Sequence, residues 1–210
     1  MFWRERRISA ELFGRHPTPR PESIGVIVVM GIDPGVASTG FGVVRVAGAT
    51  MSALDAGVIA APPDQAPAAR LALIHDGLRE LISWHAPVAL ALEDLYFGRN
   101  VRSAIGVGQA RGVAMLAAAQ DNIPCFDYTP QAVKMAVCGS GAADKQQVQR
   151  MVGSLLGLPQ PPASDHAADA LAVAICHAAS TRPDGGGRPW DLANAHARGA
   201  AGRPRAGVTA

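Results

Sequence analysis

Aromatic residues make up only 5% of this 210-residue chain, so its core has to be built from Ala, Val, Leu and Ile. Side chains that small let helices lie close to a sheet, which suits an α/β layered fold. Cysteine is also scarce. Cys125, Cys138 and Cys176 form no C-x-x-C pair, and an odd number at wide spacing suits reduced thiols rather than a disulfide framework. No apolar run approaches the ~20 residues that a membrane-spanning helix needs. The start, Met1 to Arg7, lacks the apolar stretch of a secretory signal. The expected compartment is the cytoplasm.

A strong charge of either sign is missing as well. The formal net charge is +2, with charged residues at 17% and hydrophobic ones at 49%. Residues 1–25 carry five Arg against three acids, and residues 181–210 carry five Arg against two acids. The centre, 26–180, is left with nine basic and twelve acidic side chains. A nucleic-acid reader usually shows a basic footprint, and this centre is slightly acidic. An acidic metal site, however, gains positive charge when it loads cations.

Three stretches follow from composition and period. Residues 1–25, with Pro17, Pro19 and Pro21, read as a mobile N-terminal extension. Residues 182–210, rich in Gly, Pro, Arg and Ala, have the composition of a disordered tail. The organised domain is 26–181. Its first apolar run ends at Asp33-Pro34-Gly35, a strand followed by a turn. Phe41–Val46 and Ala53–Ile59 are the next strands, and their short Gly-bearing connections predict an antiparallel meander. Leu71, Ile74, Leu78, Leu81 and Ile82 share one face of a helix over 68–84. A short strand, Val88–Leu92, ends at Glu93. A Gly- and Ala-dense helix over 103–120, a strand over 125–128 and a helix opening at Pro130 follow. That last helix resumes over 145–156 after the Gly139–Gly141 break, and a final helix covers 165–180. The order βββ-α-β-α-β-α-α is that of a ribonuclease-H-like α/β fold, a five-stranded mixed sheet flanked by helices. Order alone carries no function.

The chemistry lies in four residues. Asp33 sits where a strand stops, held by the sheet yet open to solvent. Alone it reads as a turn-forming Asp. Glu93 closes another strand and alone reads as a solvated carboxylate. If the first and fourth strands pair in parallel, the two emerge side by side. Close carboxylates raise one another's proton affinity and stay ionised only beside a counter-charge. Asp165 or Ser164 can cap the last helix. His166 and Asp169, spaced i and i+3, project from one face of it. Each also has a plain reading: a surface histidine, and an acid near a helix N-terminus. Together the four offer carboxylate oxygens and one imidazole without a thiolate, a donor set that favours Mg²⁺ or Mn²⁺. Two such ions about 3.5–4 Å apart are a known device for phosphodiester displacement.

Five segments carry a resemblance. They are Gly31-Ile32-Asp33-Pro34-Gly35, Glu93-Asp94-Leu95-Tyr96-Phe97-Gly98-Arg99-Asn100, Gly108-Gln109-Ala110-Arg111-Gly112, Asp144-Lys145-Gln146-Gln147-Val148-Gln149 and His166-Ala167-Ala168-Asp169-Ala170-Leu171-Ala172. In this order, from about Ile27 to His177, the chain resembles the RuvC family of crossover-junction endonucleases. The resemblance implies a nuclease that resolves Holliday junctions by paired symmetric nicks in recombination and repair. It implies that Asp33, Glu93, His166 and Asp169 are metal-binding catalytic residues, with Mg²⁺ as cofactor, two ions per site, and Mn²⁺ as a substitute. Some members place Asp where this chain has His166, and that position either ligates metal or transfers protons. Lys134 and Lys145 fall on basic positions near the scissile phosphate, where Lys145 also stabilises transition-state charge. Tyr96 falls on an aromatic position that stacks on a base. The family is homodimeric, and a branch-migration complex of the RuvA and RuvB type is the implied partner. The small-residue helix 103–120 is a candidate dimer contact.

Arg99, Arg102 and Arg111 are the nearest thing to a basic patch in the core and read as phosphate contacts or as a solvated helix face. Residues 95–150 carry six Lys and Arg against three acids. Three rival functions share the fold pattern. An actin-like ATPase requires a second phosphate loop and a longer chain. A non-catalytic junction-binding module does not need four competent ligands. A nuclease of RNA–DNA hybrids differs only in substrate.

Overall fold

The structure, a computed structural model, describes residues 25–94, 101–162 and 164–181, with the side chains of 101–103 left aside. The expectations for an extension and a tail lie outside these residues, apart from Gly25. Strands β1 (Val26–Asp33), β2 (Ser38–Ala47) and β3 (Thr50–Ala60) form the meander. Helix α1 (Pro67–His85), β4 (Ala89–Glu93), α2 (Val101–Gln120) and β5 (Cys125–Tyr128) alternate after it. Helices α3 (Pro130–Cys138), α4 (Lys145–Leu155) and α5 (Asp165–Ser180) complete the order. The expected order ended in two helices and is corrected to three. Gly139 takes the left-handed conformation at φ 69° and caps α3, so α4 starts afresh behind its own cap, Asp144.

The sheet order is β3-β2-β1-β4-β5. β1 pairs antiparallel with β2 and parallel with β4, and β4 pairs parallel with β5. Successive residues of a strand point to opposite faces. Val28, Met30, Ile32, Leu90 and Leu92 therefore pack with α1 and α2 on one face. Val29 and Ala91 pack on the other with α3, α4 and α5. The same alternation puts Gly31, Asp33 and Glu93 on the α5 face.

Helix α5 is apolar nearly all round, and Ala167 to Ala178 are buried apart from Asp169. Such a helix belongs inside a protein. It seats on the sheet because β1 and β2 present glycine to it. A Cβ at Gly31 would fall 2.0 Å from the Ala170 carbonyl oxygen, and one at Gly40 would fall 2.2 Å from that of His166. Small residues thus set the helix-to-sheet distance. No described helix is long and apolar enough to cross a membrane. All three cysteines are free thiols.

One buried polar group ties α5 to β5. His177 is fully buried, stands 4.5 Å ring to ring from Phe126, and meets the Tyr128 hydroxyl through Nδ1 at 2.7 Å. Its Nε2 meets no hydrogen-bond partner among the described residues. Burial pushes its pKa down from 6.5 to about 4, because the imidazolium is poorly solvated there. With the folded pKa below the unfolded one, this contribution to stability is complete above 6.5 and is lost as pH falls toward 4. The thermal midpoint is expected to drop across that window, and by less in His177→Gln. Equal drops in a pair of melting series would remove His177 as the cause.

Candidate active site

The parallel register sets Ile32 beside Leu92, so Asp33 and Glu93 leave neighbouring strand ends on the same face. The turn after Asp33 is held by Thr39, whose Oγ1 donates to the Gly35 carbonyl at 2.7 Å. Opposite them, Ser164 caps α5, its side chain accepting from the Ala167 amide. The first turn of that helix carries His166 and Asp169 to the two strand ends. His166 Nδ1 lies 2.6 Å from Asp33 Oδ2. A carboxylate only accepts, so Nδ1 donates.

Glu93 records how closely the charges gather. Its pKa rises from 4.5 to about 7, through burial first and then through Asp33 and Asp169. Lys134 and Lys145 oppose that rise. Burial also raises Asp169, with Asp33 and Asp165 adding to the effect and Lys145 working against it. Lys145 Nζ stands 3.1 Å from Asp165 Oδ2 and 3.3 Å from Asp169 Oδ2.

Six of the expected site residues, Asp33, Glu93, His166, Asp169, Lys134 and Lys145, are thus brought to one edge of the sheet. Among the described residues, no three His, Cys, Asp or Glu side chains already stand in a ligating arrangement. Asp33 is turned to His166 and Asp169 to Lys145. Tyr96 and Arg99 lie outside the described residues, as does the side chain of Arg102.

Arg111 turns toward the sheet. Its Nη1 donates to the Glu93 carbonyl at 3.0 Å, its Nη2 pairs with Asp127, and the side chain is 12% exposed. A planar guanidinium can take two acceptors at once, and here both belong to the sheet. Arg111 braces the end of β4, with two of its donors engaged by the sheet itself. Two further residues carried little or no sequence signal. Gly40 lets the first turn of α5 down onto β2. Asp165 read as one of two candidate caps, although its spacing of four from Asp169 was visible.

The comparisons with known proteins agree with this geometry. The family described as crossover junction endodeoxyribonuclease RuvC matches residues 29–177. The crossover junction endodeoxyribonuclease RuvC of Pelotomaculum thermopropionicum is 51% identical over 152 residues, covering 72% of this chain and 93% of that protein. The protein of the same name from Chloroflexus aggregans is 50% identical over 149 residues, covering 71% and 91%. The solved structure of T. thermophilus RuvC in complex with Holliday junction substrate superposes with a TM-score of 0.72 at 38% identity, covering 76% of this chain and 97% of that one. With that match over most of its length, this ribonuclease-H-like chain belongs to the RuvC family of crossover junction endodeoxyribonucleases.

Proposed function

We propose that the protein is a Mg²⁺-dependent endonuclease that resolves Holliday junctions by paired, symmetric nicks. The observation that carries this reading is Glu93, whose proton affinity is raised by burial and by two neighbouring carboxylates. Such a cluster calls for added positive charge, and its oxygen-rich donor set fits hard divalent cations. Asp33, Glu93 and Asp169 would hold the ions, with Mn²⁺ able to replace Mg²⁺ and two ions as the working number. When bound, the cations supply neutralisation of the phosphate and a lowered pKa for the attacking water.

The chain's own groups do the rest. Asp33 fixes the His166 ring through Nδ1, which leaves Nε2 to face a cation or carry a proton. Glu93 would hold a cation in its ionised form, at the expense of the proton that burial and its neighbours favour. Lys134 and Lys145 offer positive charge to a phosphate backbone drawn against the acidic edge, and Lys145 meets the charge that builds in the transition state. Tyr96, Arg99 and Arg102 are proposed DNA contacts on the segment that follows Glu93.

The relatives' names and the junction-bound T. thermophilus structure support the four-way junction as substrate. A homodimer would set two such sites against opposite strands, matching two-fold symmetry in the DNA. Helix α2 supports that assembly, since Ile105, Met115 and Leu116 are exposed on it. A branch-migration complex of the RuvA and RuvB type, acting with it in the cytoplasm, completes the proposal.

One assay tests the function. The pure protein is incubated with a labelled four-way junction and, separately, with an RNA–DNA hybrid. Paired nicks in the junction are expected, dependent on Mg²⁺ and stopped by EDTA. Cleavage of the hybrid alone would assign a different nuclease. Junction binding without cleavage would make the protein a recognition module.

A further inference from the structure

Two rows of side chains face each other where α4 meets α5. Lys145 and Gln149 stand four residues apart on α4, and Asp165 and Asp169 stand four apart on α5, a spacing that keeps each pair on one helix face. The rows are cross-linked. Lys145 Nζ is 3.1 Å from Asp165 Oδ2 and 3.3 Å from Asp169 Oδ2, while Gln149 Nε2 donates to Asp165 Oδ1 at 2.6 Å. The function proposed above uses Lys145 and Asp169 and leaves Asp165 without a task.

Ordinary roles account for only part of Asp165: a carboxylate in the first turn of α5 suits the helix dipole, which asks for no particular partner. The cap of α5 is Ser164. Its ion pair is exposed, 53% on the Lys145 side and 62% on its own, and exposed pairs add little to folding. Lys145 needs an anchor for two reasons. It is the first residue of α4, where the helix dipole disfavours a cation. It is also a flexible chain ending in a point charge, without the preformed fork of arginine. Lys134 and Lys145 are the only two lysines among 19 basic side chains, and both act on Glu93.

We propose that Asp165 is a positioning residue: held by Gln149, it tethers the Lys145 ammonium at the rim of the carboxylates, so that a cation taking Asp169 frees the ammonium from that acid without releasing it to solvent. This rests on the reading of Asp169 as a cation ligand. Asp169 is the poorer tether once it holds a cation, because the field of the divalent ion offsets the attraction between that carboxylate and the ammonium. Asp165 lies one helical turn away and keeps its charge for Lys145. Gln149 orients it with a neutral donor.

The two lysines make the test site-specific. Full-length protein carrying isotope-labelled lysine gives two side-chain signals by NMR, and the Lys145 signal is identified by its loss in Lys145→Arg. In metal-free protein, Asp165→Asn is expected to shift the Lys145 signal and spare that of Lys134. With saturating Mg²⁺ the wild-type Lys145 signal should move yet stay distinct from free lysine, whereas in Asp165→Asn it should reach the free-lysine position. Single-turnover junction cleavage by Asp165→Asn should fall on the order of 10- to 100-fold, the scale of a misplaced catalytic group. Junction Kd should stay unchanged, Asp165→Glu should recover part of the rate, and the loss should vanish in a Lys145→Ala background. A Lys145 signal indifferent to Asp165→Asn, or an equal rate loss without Lys145, overturns the tether. A wild-type Lys145 signal that Mg²⁺ does not move overturns the cation reading of Asp169, and the proposal with it.

Discussion

Asp33→Asn is expected to bind a four-way junction as the wild type does and to cleave it about 10³-fold more slowly or worse, a loss of roughly 4 kcal/mol in transition-state stabilisation. The amide keeps the shape of the side chain and can still accept from His166 Nδ1. It cannot offset a divalent charge. Glu93→Gln should behave alike, for the same reason. The pH dependence is signed by Glu93. Its folded pKa of about 7 lies above the ordinary 4.5, so metal-free protein is stabilised by the protonated form and loses that stability as pH rises from 4.5 to 7. Cation uptake runs the opposite way. A cation has to displace the proton, so Mg²⁺ affinity falls as pH drops below about 7 and binding there releases a proton. Calorimetry in buffers of different ionisation enthalpy measures that release. Asp33→Asn also removes one cause of the raised value, so the Glu93 pKa should move down in the variant. Wild-type cleavage by either variant would remove the two carboxylates from the mechanism.

Gly31→Ala should be the most damaging conservative change in the fold. The new methyl would stand 2.0 Å from the Ala170 carbonyl oxygen and 2.8 Å from the Ala174 amide nitrogen. Those are backbone atoms in the middle of a helix packed on every side, so no side chain can swing away. A cost on the order of 3 kcal/mol or more is expected. That is a large share of the ~5–15 kcal/mol that holds a typical domain folded. It corresponds to a fall of roughly 6–12 °C in Tm for a domain of this size. Gly40→Ala meets the His166 carbonyl at 2.2 Å and the His166 Cβ at 2.9 Å. Those atoms lie in the first turn of α5, nearer its free end, so the helix can lift there. Its Tm should suffer less than that of Gly31→Ala, and its cleavage rate should suffer more, because His166 and Asp169 rise away from Asp33. Gly112→Ala is the control. A Cβ there meets nothing within 4 Å, and the helix gains up to about 1 kcal/mol in propensity. Equal melting temperatures for Gly31→Ala and Gly112→Ala would mean that α5 does not depend on the glycine track.

Much of this molecule was legible as periodicity. The meander, the helix starts at Pro130 and Asp165, and the placing of Asp33 and Glu93 at strand tips follow from apolar runs, turn residues and helical spacings near four. Those spacings are properties of the backbone, so a linear sequence displays them. The split between α3 and α4 is half legible: Gly139 marks the break, but the bond by which Asp144 accepts from the Gln147 amide and starts a fresh helix appears only in the structure.

Charged side chains were a different matter. Arg111 and Lys145 look alike in the sequence, each a basic residue in a helix-forming segment. One became a brace inside the sheet, held by the Glu93 carbonyl and Asp127, and the other stayed at the acidic edge between Asp165 and Asp169. The sequence by itself determined which residues could form strands, helices and caps, and which types could hold a cation. Only the tertiary structure decided that β1 lies parallel to β4, that α5 settles onto Gly31 and Gly40, and which acid each cation meets. The reason is range: a hydrogen-bonded period acts over a few residues, whereas the energy of a charge depends on groups brought within a few ångströms from anywhere along the chain.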